Sequence, residues 1–103
     1  MDNPAVPFTV VCIYNNEEIL NDYLAKGLAI QDFPHQDIFI DNTKGRFNSA
    51  AQAFNSVIPN IQGEFAVFSH QDILFTREDT LRQAYKMLKA NKNLCVAGVA
   101  GVR

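Results

Sequence analysis

The chain has 103 residues, 48% of them apolar and 19% charged, and a formal net charge of -2. That length and apolar content support a single packed core and exclude a disordered chain. The lack of any Lys/Arg block excludes the basic footprint that nucleic acid requires, and no apolar run reaches the roughly 20 residues of a membrane span.

Phe8-Thr9-Val10-Val11-Cys12-Ile13-Tyr14 is a continuous β-branched and aromatic run. Such a run without polar alternation suits a central parallel strand covered on both faces. Asn15-Asn16-Glu17-Glu18 ends it, with Asn15 as the expected helix cap and Glu18 completing a capping box. Ile19, Tyr23 and Ile30, with Leu20, Leu24 and Leu28, then predict one helix up to Gln31, ended by Asp32-Phe33-Pro34. A second strand is expected at Asp37-Ile38-Phe39-Ile40-Asp41. Beyond the turn-like Asn42-Thr43-Lys44-Gly45, Ser49 and Gln52 form a second capping box, opening a helix to about Pro59.

Gly63-Glu64 leads into a third strand, Phe65-Ala66-Val67-Phe68-Ser69, which delivers the chain to His70-Gln71-Asp72. Thr76 and Asp79 predict a capping box for a helix carrying Leu81, Tyr85 and Leu88 on one face and ending near Asn91. Leu94-Cys95-Val96-Ala97-Gly98-Val99 is the expected fourth strand. Strand and helix thus alternate as βαβαβαβ, which argues a three-layer α/β domain with helices on both faces of a parallel sheet.

With strand order 2-1-3-4 the sheet has a switch point between strands one and three, and ligands bind beyond the strand C-termini there. The same order places Cys12 and Cys95 two strands apart, roughly 9–10 Å at about 4.8 Å per strand, too far for a disulfide. Both are expected as reduced, buried thiols.

Three strand ends bring polar groups to one rim: Tyr14-Asn15-Asn16-Glu17, Asp41-Asn42 and His70-Gln71-Asp72. Converging acids raise each other's pKa unless a cation or proton relieves them, and a hard divalent ion with oxygen ligands is the simple remedy. Each group also has a bland explanation. Glu17 and Glu18 sit where the helix macrodipole favours acids. Asp41-Asn42 could make an Asx turn. A lone His70 at a strand end is more often a satisfied surface group than a ligand. Asp72 is harder to assign a structural role once Thr76 is taken as the cap of the next helix. No glycine cradle of the G-x-G-x-x-G or P-loop type follows the first strand, so a phosphate would be met through a metal.

These pieces resemble the family 2 glycosyltransferases of GT-A type, over nearly the whole chain from Phe8 to Gly101. Val10 to Glu18 is similar to the family's opening strand and asparagine-glutamate turn, and Ile38-Phe39-Ile40-Asp41-Asn42 to its second strand. Asn48-Ser49-Ala50-Ala51-Gln52-Ala53-Phe54-Asn55 resembles its small-residue helix ending in asparagine. Gly63 to Asp72 resembles the strand that leads to the D-x-D motif, with His70 where the first aspartate stands, a variant similar to a branch with His-Gln-Asp.

The resemblance implies a Rossmann-like, nucleotide-sugar-binding half of a GT-A fold as one domain over residues 1–103, with the acceptor half and its catalytic base absent. It implies Tyr14, Asn15, Glu17, Asp41, Asn42, Asn55 and His70 as nucleotide contacts. Asp72 becomes the ligand of a Mn2+ or Mg2+ ion bridging the diphosphate of a nucleoside-diphosphate sugar. The acceptor would be a glycan or lipid-linked molecule. An N-terminus without a positive region gives a cytoplasmic expectation.

Two other functions fit parts of the pattern. A non-catalytic interaction domain would keep the fold without the chemistry, its open sheet edge covered by a partner or a second copy. A phosphoacceptor signalling domain also gathers acids at strand ends, but needs a fifth strand and an acid pair directly at the end of the first strand, where Tyr14-Asn15-Asn16 stands.

Overall fold

A computed structural model describes residues 6–90 of the chain. The elements run β1 (Phe8–Tyr14), α1 (Glu17–Asp22), α2 (Leu24–Ala29), β2 (His35–Asp41), α3 (Ala50–Val57), a 3-10 turn (Ile58–Asn60), β3 (Phe65–Ser69) and α4 (Thr80–Ala90). The three strands form one parallel sheet in the order β2-β1-β3. The expected fourth strand and Cys95 lie outside the described residues. Among the described residues, no helix is long and apolar enough to cross a membrane.

β1 forms where expected because its side chains find apolar cover on both faces. Phe8, Val10 and Cys12 point to one face, where Leu20, Leu24, Leu28 and Leu81 close a core around them. Val11 points to the other, against Ile40 and Ala53. Residues 8 to 12 are fully buried. Each such side chain contributes about 1.5–3 kcal/mol of burial. The helices accordingly lie on both faces, α1, α2 and α4 on one and α3 on the other.

The larger core is built on rings. Phe8 meets Phe33, Phe65 and Tyr85 at centroid distances of 6.4, 6.0 and 6.0 Å. The Tyr85 hydroxyl reaches the edge of this cluster and donates to Glu64 at 2.7 Å, satisfying its one polar atom. Thr9, a buried polar residue, is satisfied too. Its hydroxyl donates to Gln36 at 2.6 Å and accepts from the Gly63 N–H at 2.7 Å, tying the strand starts together.

Four local expectations change. The first helix is two, because α1 ends at Tyr23, whose φ of -118° and ψ of -80° leave helical geometry. α2 is instead held from the far side of the core. Gln31 Nε2 donates to the Arg77 carbonyl at 2.7 Å, and the Asp32 N–H donates to the Glu78 carbonyl at 2.8 Å. Of the two apolar stripes, Leu20, Leu24 and Leu28 are buried, while Tyr23 and Ile30 are exposed.

The cap of α1 is Asn16, not Asn15. Asn16 Oδ1 accepts from the Ile19 N–H at 3.0 Å, so Glu17 and Glu18 become first-turn acids rather than a capping box. Asn15 is drawn away by Gln71, as described below. Ser49 does cap α3, accepting from the Gln52 N–H at 3.1 Å, but the Gln52 side chain reaches back to Asn48 N–H rather than to Ser49.

Thr76 does not cap α4, which begins four residues later at Thr80. Its Leu81 N–H is capped from a distance by Gln31 Oε1 at 3.0 Å. The charges around this junction are paired, Arg77 with the nearby Asp79 at 2.9 Å and Arg82 with the remote Asp32 at 2.9 Å.

Two tests address this junction. A Cβ at Gly27 would stand 2.6 Å from the Phe75 backbone nitrogen, so α2 can lie this close to the segment before α4 only with glycine there. Gly27→Ala should destabilise the protein by about 1–3 kcal/mol in urea denaturation, the usual cost of forced overpacking. The Asp79 carboxyl is held down from 3.8 to about 2, chiefly by the Arg77 guanidinium. A depressed carboxyl contributes stability above its unfolded pKa that disappears as pH falls through the folded one. The thermal midpoint should therefore drop between about pH 4 and 2, and drop less steeply in Asp79→Asn.

Candidate functional site

All three strands run the same way, so their C-terminal ends meet at one edge of the sheet. The register sets Tyr14 beside Asp41 and Cys12 beside Ser69, and the chain turns away from the sheet just beyond. A cavity of about 290 Å³ opens there, lined by Ile13, Asn15, Asn42, His70, Gln71 and Asp72. Every strand thus contributes to it, and its walls are mainly amide, imidazole and carboxylate. It gathers residues from beyond the C-terminal ends of the strands, with β1 central in the order β2-β1-β3.

Four of the expected site residues meet in this cavity: Asn15, Asn42, His70 and Asp72. Each is placed by a local device. Asn42 sits one residue past β2 with its N–H on the Tyr14 carbonyl at 2.8 Å, and its Oδ1 accepts from the Phe47 N–H at 2.8 Å. That side chain therefore also shapes the loop leading to α3. His70 is the first residue after β3 and is exposed. Asp72 stands two residues further on, half-buried, close enough to the Cys12 thiol to raise its pKa. Burial is the larger cause, and together they push that thiol up to about 11, which keeps Cys12 an inert buried group.

Tyr14, Glu17 and Asp41 form a second, flanking group outside the cavity lining. Burial, then Asp41 and then Glu17 raise the Tyr14 phenol above its usual range, which places the three side chains within electrostatic reach of each other. Asp41 makes the Asx turn that was the alternative to a ligand role. Its Oδ1 accepts from the Thr43 hydroxyl at 2.6 Å and from the Thr43 N–H at 2.8 Å. These bonds, with smaller help from Lys44 and Arg46, hold its carboxyl below the ordinary value. Asn55 is exposed on α3, two residues from the buried Ala53 and hence about 200° around the helix. It does not line the cavity.

Gln71 is the lining residue that the sequence left unassigned. Its Oε1 accepts from the N–H groups of Asn15 at 3.0 Å and Asn16 at 3.2 Å, and its Nε2 donates to Asn15 Oδ1 at 2.8 Å. Three bonds therefore join the loop after β3 to the turn after β1. The partners are 55 and 56 residues apart, so no local pattern could announce the pairing.

A divalent ion fits this donor set in a limited way. Among the described residues, no three His, Cys, Asp or Glu side chains gather as ligands. Asp72 is the one carboxylate lining the cavity, beside amide and imidazole groups. Magnesium-like ions are commonly held by one or two carboxylates plus substrate phosphates, with water completing the shell. The cavity matches that arrangement and not a resident protein cage. Because α4 begins at Thr80 rather than at a Thr76 cap, the helix start no longer sets Asp72 apart from a structural role. What supports Asp72 is its place in the cavity.

Titration by NMR checks the flanking group. Asp41 should titrate below its ordinary 3.8, and Thr43→Val, which removes the hydroxyl bond that contributes most, should move it back up toward that value.

No known family model, curated protein or solved structure matches the chain.

Proposed function

We propose that the cavity binds the nucleoside-diphosphate portion of an activated sugar, together with Mn2+ or Mg2+, as the donor half of a glycosyltransferase related to family 2. The observation that carries this reading is the meeting of Asn15, Asn42, His70, Gln71 and Asp72 from all three strand ends around one polar cavity. The β1 turn supplies acids and asparagines instead of a glycine cradle, so the charge of a diphosphate needs a counterion at Asp72.

In this arrangement Asp72 would hold the ion, and Asn15 and Asn42 offer amide donors and acceptors to nucleoside or phosphate oxygens. Tyr14, Glu17 and Asp41, near one another outside the cavity lining, would meet the base, and His70 in the lining would reach ribose or phosphate. Asn55 has no support from its exposed position on α3. When bound, a divalent ion neutralises the diphosphate and stabilises the departing nucleoside diphosphate. Acceptor binding and the catalytic base belong, on this reading, to a second half of the enzyme.

A second reading, an interaction domain that keeps the fold without the chemistry, has its own observation. Phe68 on β3 is 51% exposed and Ile58 beyond α3 is 53% exposed, leaving apolar surface on that side of the sheet.

Calorimetry with UDP and GDP, each with and without Mn2+, separates the two. The donor reading expects Mn2+-dependent binding, weakened ~10–100-fold in Asp72→Ala by loss of a charge-assisted ligand. Absence of binding by the unaltered protein, or equal binding by the variant, would sink it in favour of the interaction domain.

A further inference from the structure

The turn after β1 is held in place from across the sheet. Asn15 and Asn16 lie between the end of β1 and the first turn of α1, exposed, and Asn16 caps α1 through its side chain. Gln71 takes the backbone N–H groups of both residues on one amide oxygen and donates from its nitrogen to Asn15 Oδ1. This side chain satisfies two backbone donors at once and fixes which way the Asn15 amide faces, with its Nδ2 left on the side away from the Gln71 nitrogen. Gln71 is also the residue directly before Asp72, so its anchoring restricts the backbone that carries the carboxylate.

We propose that Gln71 is a positioning residue for the ligand cavity, locking the nucleoside side at Asn15 and the metal side at Asp72 into one preorganised unit. This inference rests on the donor-binding reading above, because the gain from a fixed turn is realised only when a ligand spans both sides. The physical reason is entropic. A turn already ordered before binding loses less freedom when the ligand arrives. His70, the other neighbour in the sequence, lacks any such bond to the β1 turn among the described residues, its carbonyl instead meeting the Ser69 hydroxyl at 3.1 Å and the Ile73 N–H at 3.5 Å.

The role is separable from a general contribution to folding. Gln71→Met keeps the length of the side chain and removes its hydrogen bonds, while Gln71→Glu keeps an acceptor oxygen for the two N–H groups. NMR amide exchange without ligand should show Asn15 and Asn16 exchanging about tenfold faster in Gln71→Met, with Gln71→Glu near the unaltered protein. Calorimetry with UDP and Mn2+ should show Gln71→Met binding about tenfold more weakly, while its urea midpoint changes little.

A merely structural bond would move the midpoint and leave the affinity of the folded molecules alone. Unchanged exchange at Asn15 and Asn16, or faster exchange with unchanged UDP affinity, overturns the proposal. Failure of the unaltered protein to bind UDP or GDP removes the donor reading and the ligand role of Gln71 with it. The exchange measurement then still reports whether the clamp itself exists, so the two failures are told apart.

Discussion

β1 is the constraint on which the rest depends. Among the described residues it is the strand with neighbours on both edges and cover on both faces, and residues 8 to 12 see no solvent. Its even-numbered side chains order one set of helices, and Val11 orders the other. A parallel strand in this position forces each crossover to leave from the same end of the sheet and return to the other. The polar turns after the three strands then have nowhere to go but the common C-terminal edge, where the cavity forms.

The two ends of the sheet are treated differently. At the strand starts, Thr9, Gln36 and Gly63 close a small hydrogen-bonded network, and among the described residues no buried polar side-chain atom lacks a partner. At the strand ends the polar groups line an open cavity, and Gln71 and Asn42 organise the loops without sealing it. The exposed edge can carry acids that a packed interior would expel or neutralise. Asp41 shows the division within one turn. It ends the strand as a ligand candidate would, yet its oxygen is bound to Thr43.

Much of the architecture was legible in the chain. Continuous apolar runs located β1 and β3 to the residue, because a strand buried on one or both faces must present apolar side chains throughout or in strict alternation. Ser49 was readable as the cap of α3, since that bond closes within three residues. The convergence of Asn15, Asn42, His70 and Asp72 followed from parallel order alone. The cap of α4 was not readable, because its donor is satisfied by Gln31, 50 residues away, and the nearby Thr76 offered a plausible local substitute.

The sequence by itself determined the alternation of strands and helices, the central place of β1 and the edge at which polar residues collect, because periodicity and apolar content act through neighbours in the chain. Only the tertiary structure decided that the first helix breaks at Tyr23, that Asn16 rather than Asn15 caps it, and that Gln71 binds the β1 turn. The Asn16 cap closes within three residues but has a local rival in Asn15, and Gln71 reaches Asn15 and Asn16 across 56 and 55 residues. Such contacts have geometry only once the sheet has brought the strand ends together.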